Sequence, residues 1–161
     1  MLEAHINMET AEKAFLWIVG ILRKHNVPFR ISGGMAARAY GSKRALADID
    51  IDIPEEKFDD ILPDVKEFMT DAPERFVGNG WDLLIMVLNY HGQAIDISGD
   101  KVKIQNPKTS EWTKLDVNFS DVENIEIFGI SVPVIKKEKL IAYKKILSRP
   151  VDILDIAELS R

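Results

Sequence analysis

Apolar residues recur at helical spacing through Phe15, Ile18, Val19 and Leu22, which predicts an amphipathic helix from Thr10 to about His25, with Thr10 or Asn7 at its start. Asn26-Val27-Pro28 ends it. Phe29–Ser32 reads as a short strand running into Gly33-Gly34, and Met35–Tyr40 as a short helix closed by Gly41. From Asp48 to Ile53 polar and apolar residues alternate strictly, the pattern of a strand with one buried face. Pro54 and two glutamates then open a helix that runs toward Phe68, ended or kinked by Pro63. Leu83–Tyr90 is a nearly continuous apolar run, turned by His91-Gly92 into a second strand, Gln93–Ser98. Val102–Gln105, Thr113–Phe119 and Ile125–Pro133 read as further strands. Lys136–Leu147 and Val151–Leu159 read as two closing helices separated by Pro150. The order of elements predicts an α+β fold, a mixed central sheet flanked by helices. Residues 1–135 form the expected core and residues 136–161 a helical tail packed on it, within a single domain.

Composition narrows the function classes. The 161 residues contain no cysteine, which excludes disulfides and thiolate metal sites. A net charge of −5 argues against binding nucleic acid through a dominant basic surface, although the face from Lys136 to Arg149 offers a local one. The longest apolar run, Ala14–Leu22, has nine residues, too few to span a bilayer. With no signal-peptide pattern at the N-terminus, a cytoplasmic protein is expected.

Chemistry concentrates in two places. On an extended strand Asp48, Asp50 and Asp52 share a face, with neighbours roughly 6–7 Å apart. At an effective dielectric near 20, such a pair repels by about 2–3 kcal/mol. Oxygen ligands at this spacing suit magnesium, which combines carboxylates with phosphate oxygens. A solvated strand face, offset by Arg38, Lys43 or Arg44, is the structural alternative. Gly33-Gly34, between a strand and a helix, lets backbone N–H groups approach an anion, or simply makes a tight turn. Neither the Walker A spacing nor G-x-G-x-x-G is present. His5, His25 and His91 have no ligand spacing. Trp81 and Trp112 fit core or hairpin packing better than stacking on a base.

Ser32-Gly33-Gly34, thirteen intervening residues and Asp48-Ile49-Asp50 together resemble the signature of the DNA polymerase β-like nucleotidyltransferase superfamily. The likeness is nearest to the small lincosamide and aminoglycoside 2″ nucleotidyltransferases and related nucleotidyltransferase-like toxins. Ala36-Ala37, Tyr40-Gly41 and Arg44 match the intervening pattern, and Gln93-Ala94-Ile95-Asp96-Ile97 matches the later strand that bears a third carboxylate. Asp116 is the alternative for that role. Leu140-Ile141-Ala142-Tyr143-Lys144, Arg149, Asp152 and Asp155 resemble the family's helical tail. Leu46 stands where many relatives have threonine.

The resemblance implies transfer of a nucleoside monophosphate from a magnesium-bound triphosphate, ATP by expectation, with release of pyrophosphate. Asp48, Asp50 and Asp96 would be the catalytic carboxylates and hold two Mg2+ ions. Ser32, Gly33, Gly34, Arg38 and Arg44 would bind the nucleotide, the two glycines through backbone N–H groups. A small-molecule hydroxyl such as an antibiotic's is the expected acceptor, with RNA or protein acceptors, or a non-catalytic toxin–antitoxin role, as the alternative. The short tail suggests a homodimer partner that completes the acceptor pocket.

Overall fold

The computed structural model describes residues 2–161, with side chains from Met8 onward. Nine strands form one mixed sheet. The first helix, α1 (Leu2–Lys24), starts ahead of the predicted point, so Thr10 is interior to it, and Asn7 lies outside the described side chains. β1 (Arg30–Ser32) leads directly into α2 (Gly33–Ala39), and β2 (Asp48–Asp52) returns antiparallel beside β1. Pro63 does not end the next helix. Residues Glu55–Lys57 make a 3-10 turn, α3 (Phe58–Val65) contains Pro63, and Lys66–Phe68 tighten into another 3-10 turn.

Two readings of the strands are corrected. β3 (Met69–Gly78) has no counterpart among the predicted elements; it pairs antiparallel with β4 (Trp81–Tyr90) around Asn79-Gly80. Most of its residues are exposed, so it lacks the alternation that marks a strand in sequence. The single strand expected over Ile125–Pro133 is instead a hairpin of two, described below. Both Asn79 and Gly80 have positive φ, the requirement of a tight two-residue turn. His91-Gly92 repeats this between β4 and β5 (Gln93–Ser98). β6 (Lys103–Gln105) and β7 (Trp112–Lys114) form a small hairpin beside β4; β7 covers only the start of the predicted Thr113–Phe119 strand. Phe128-Gly129 makes the third such turn, between β8 (Val122–Ile127) and β9 (Ile130–Ile135). The helices α4 (Lys137–Leu147) and α5 (Pro150–Leu159) close the chain.

The middle of the sheet runs β4-β5-β2-β1-β9. β2 and β5 are parallel, so their alternating sequences lie in step and their isoleucines form one apolar face. Ile49, Ile51, Ile95 and Ile97 are fully buried there, in one core with Phe15, Ile18 and Leu22 of α1 and Ile61 of α3. Each fully buried isoleucine contributes about 1.5–3 kcal/mol relative to exposure. That anchorage fixes the register and forces the intervening aspartates onto the opposite face. Among the described residues no helix is long and apolar enough to cross a membrane.

Candidate active site

The face opposite the isoleucines is the floor of a cleft of about 450 Å³. Across β1, β2 and β5 the strand register lines up Ser32, Asp50 and Asp96 in one row and Arg30, Asp52 and Ser98 in the next. Asp48 stands one step before Asp50 on the same face, and all of these residues line the cleft. Adjacent strands are about 4.8 Å apart, so Asp50 and Asp96 repel by about 3 kcal/mol at an effective dielectric near 20. Burial first, then the charges of Asp96, Asp48 and Asp52, push the Asp50 carboxyl up to about 8. The Gly34 N–H beside it pulls partly the other way. Burial and then Asp48 and Asp71 push Asp96 up to about 6.

Gly33 sits hard against this row. Its φ is +58°, and a Cβ there would fall 2.0 Å from Asp50 Oδ2, so the turn tolerates no side chain. Its N–H donates to the hydroxyl of Tyr143 at 3.2 Å, a buried residue of α4 whose own ionisation is pushed up by burial and by Asp50. A phosphate bound at the Gly33 N–H would take the place of that hydroxyl.

Asp96 and Asp116 stand in different surroundings. Asp96 lies beside Asp50, whereas Asp116 is 80% exposed and pairs with Lys139 at 3.4 Å, away from the cleft. Asp52, on the same strand face as Asp48 and Asp50, is buried and accepts hydrogen bonds from Arg30 Nε (2.7 Å) and the Ser32 hydroxyl (3.3 Å). Burial holds its carboxyl above the ordinary range despite Arg30. Arg30 itself is 3% exposed, and its Nη1 is buried without a partner. Such an unsatisfied donor costs about 1–3 kcal/mol.

The opposite wall is cationic and comes largely from the tail. Arg44 reaches across Gly34, its Nη2 lying 3.2 Å from where a Cβ on that glycine would stand. It donates through Nε and Nη2 to Asp155 at 2.9 and 3.0 Å. Lys144, 2% exposed, donates to the same carboxylate at 2.9 Å and lies 3.5 Å from Asp152. Arg149 holds Asp152 with its backbone N–H (3.0 Å), Nε (2.7 Å) and Nη2 (3.0 Å), capping α5 in the process. Burial opposes ionisation of Asp155, but hydrogen bonds from Arg44 and Lys144 prevail and lower its carboxyl below the ordinary value. Lys144 sits on a lysine-rich helix yet is buried, because two aspartates one helical turn apart are there to receive it. Trp81 also lines the cleft, under the Arg149 guanidinium at 5.9 Å.

Of the sequence-predicted residues, Ser32, Gly33, Gly34, Arg44, Asp48, Asp50 and Asp96 meet at the cleft. Arg38 does not. Its guanidinium donates to the Arg44 carbonyl at 2.7 Å and contacts Met8 Sδ at 3.8 Å, so it braces the loop that carries Arg44. The residues missed are Arg30 and the Lys144–Arg149 wall. Lys144, Arg149, Asp152 and Asp155 stand out in the sequence only through their likeness to the family's helical tail, and Arg30 has no signal there. His25 pairs with Asp64 at 3.2 Å, His91 packs on Phe68 and Tyr90, and His5 lies outside the described side chains.

No protein-family model and no curated protein sequence matches this chain. Solved structures do. A nucleotidyltransferase candidate from Thermotoga maritima superposes with a TM-score of 0.68 at 21% identity, over 83% of this chain and 82% of its own. A lincosamide antibiotic adenylyltransferase with lincomycin bound gives 0.61 at 16% identity, over 92% and 95%. The factor ANT(2″)-Ia in complex with adenylyl-2″-tobramycin gives 0.63 at 16%, over 93% and 87%. The α+β architecture described above is the nucleotidyltransferase fold.

Proposed function

We propose that this chain is a metal-dependent nucleotidyltransferase that moves a nucleoside monophosphate, AMP by preference, from a triphosphate to a hydroxyl of a small molecule. One observation carries the reading: Asp48, Asp50 and Asp96 share one strand face beside a glycine turn and opposite a cationic wall. The raised carboxyls of Asp50 and Asp96 mark an arrangement short of positive charge. Among the described residues no three or more Asp, Glu or His side chains close around a point as a finished metal cage. Magnesium does not require one, since it is commonly held by one or two carboxylates plus substrate phosphates. The donor set therefore fits two Mg2+ ions, held by Asp48, Asp50 and Asp96. When bound, such ions supply charge stabilisation to the entering and leaving oxygens of an in-line displacement.

The chain's own residues divide the remaining work. Arg44 and Arg149 offer N–H donors to the triphosphate, and the Gly33–Gly34 turn lets it approach the backbone. Lys144, Asp152 and Asp155 position those two guanidiniums. Ser32 completes the donor end of the site. Asp96, on the strand beside Asp50, is placed to take the proton from the attacking hydroxyl. The hydroxyl oxygen bonds to the α-phosphorus as the bond from that phosphorus to pyrophosphate breaks. A cleft of about 450 Å³ with apolar walls at Trp81, Leu83, Ile85 and Val102 favours a small-molecule acceptor over RNA or protein. A cytoplasmic protein, a core of residues 1–135 with a tail of 136–161, and a homodimer whose second copy lengthens the acceptor wall complete the reading.

The test is thermal and chemical. Mg2+ and ATP together, at about 100 times the dissociation constant, should raise Tm by about 5–10 °C, and Asp48→Ala/Asp50→Ala should abolish the rise. Labelled ATP should pass its AMP to a hydroxylated acceptor with stoichiometric pyrophosphate. A double variant that responds like the wild type overturns the site.

A further inference from the structure

Arg30 is a buried cation whose hydrogen bonding is unfinished. Its Nε donates to Asp52, and the protein offers no hydrogen-bond partner to either terminal nitrogen of the guanidinium. Nearly all buried polar groups have partners, and an arginine has five N–H donors to place. Arg30 lines the cleft, in the row one step beyond Ser32, Asp50 and Asp96 and on the side away from the Gly33 turn. That row continues through Asp52 and Ser98 to Ile85 on β4. Around it the walls are apolar: Phe76, Leu83, Ile85, Val102, Leu115 and Val117. Phe76 is a large apolar side chain left 43% exposed.

Building on the nucleotidyltransferase reading, we propose that the Arg30 end of the cleft is the acceptor subsite, and that it takes an acceptor with an apolar body and an oxygen that receives a hydrogen bond from the Arg30 guanidinium, and rejects one that brings a carboxylate there. The placement follows from in-line displacement, which sets acceptor and leaving group on opposite sides of the transferred phosphorus. With Arg44 and the glycine turn at one end, the acceptor belongs at the other. The selectivity follows from charge and donor inventory. Asp52 already balances Arg30, so an anionic acceptor meets Asp50, Asp52 and Asp96 without a spare cation. A hydroxyl or carbonyl oxygen can receive Arg30's N–H without that repulsion, while its carbon frame covers Phe76 and Leu83.

The test uses two probes: 4-nitrophenyl β-D-glucoside, uncharged with an aromatic body, and 4-nitrophenyl β-D-glucuronide, the same frame bearing a carboxylate. Binding is read by calorimetry without nucleotide, and the Mg2+·ATP thermal shift is read separately. Two variants keep Asp52 from being stranded: Arg30→Lys retains the ion pair but loses the guanidinium fork, and Arg30→Met/Asp52→Leu removes both charges. The wild type is expected to bind the glucoside and not the glucuronide at millimolar concentration. Each variant should weaken glucoside binding about tenfold, the loss of one hydrogen bond from a charged donor, with the Mg2+·ATP shift retained. Equal binding of both probes, the glucuronide alone, neither probe, or unchanged glucoside affinity in Arg30→Lys overturns the inference. Loss of the Mg2+·ATP shift with glucoside affinity kept moves Arg30 to the nucleotide half and also overturns it. Absence of that shift in the wild type is a different failure, that of the nucleotidyltransferase reading itself.

Discussion

Two walls of one cleft handle charge in opposite ways. On the sheet, Asp48, Asp50 and Asp96 share a face, and among the described residues no Lys, Arg or His side chain forms an ion pair with any of them. Across the cleft, Arg44, Lys144 and Arg149 are tied to Asp152 and Asp155 by short, partly bidentate hydrogen bonds, and both aspartates are fully buried. Both walls crowd charged groups together, but only the second is complete within the protein. The completed wall behaves as scaffold, and the incomplete one is poised for a cation that comes with the substrate. Removing a carboxylate should therefore have opposite effects on the stability of the free protein at the two walls.

The largest effect is expected from Asp155→Ala. It leaves Lys144 buried beside a single remaining aspartate and frees Arg44, and breaking a buried pair of this kind costs about 3–5 kcal/mol. Urea unfolding at pH 7 measures it, and a cost below about 1 kcal/mol would mean that the tail is not scaffold. Next comes Gly33→Ala, whose Cβ would overlap the Asp50 carboxylate at a positive φ. The expected loss is about 2–3 kcal/mol together with the Mg2+·ATP shift.

Asp50→Asn should move the other way. Asp50 and Asp96 titrate near 8 and 6 in the folded protein, above their unfolded-chain values. Their contribution to stability is therefore fully present below about pH 4 and is lost as pH rises through 6 and 8. Metal-free Asp50→Asn should be more stable than the wild type at pH 8 by about 1–3 kcal/mol, with the gap closing toward pH 4. A gap that widens on acidification reverses the assignment. The smallest effect belongs to Asp116→Asn, an exposed carboxylate outside the cleft, within about 0.5 kcal/mol and with transfer unchanged.

What the sequence disclosed, and what it did not, follows the same division. The sheet side was legible because a strand repeats every two residues, so Asp-Ile-Asp-Ile and Ala-Ile-Asp-Ile state their own faces. The cationic wall was not, because Arg44 meets Asp155 from more than a hundred positions away, and Lys144 meets it only across the turn between two helices. Lys144 on a helix rich in lysine looks like any solvated residue until Asp155 is known to lie beneath it. Arg30 was invisible for a related reason: one arginine in a three-residue strand has no periodicity to betray its burial. β3 escaped because its outward residues are as polar as a loop's, although Asn79-Gly80 was a sound hairpin signal. The same oversight merged β8 and β9, where Phe128 hides a turn usually announced by asparagine or aspartate.

The bond from the Gly33 N–H to Tyr143, and the clasp of Asp155 on Arg44, carry a consequence for how the molecule is made. Chains emerge from the ribosome N-terminus first, and folding proceeds in that order where it can. The carboxylate strands are synthesised early, but the groups that hold the glycine turn and the guanidiniums arrive with the last two helices. A nascent chain thus carries the acidic half of its machinery with nothing to face it. The two halves of the cleft therefore come together only when α4 and α5 dock on the sheet.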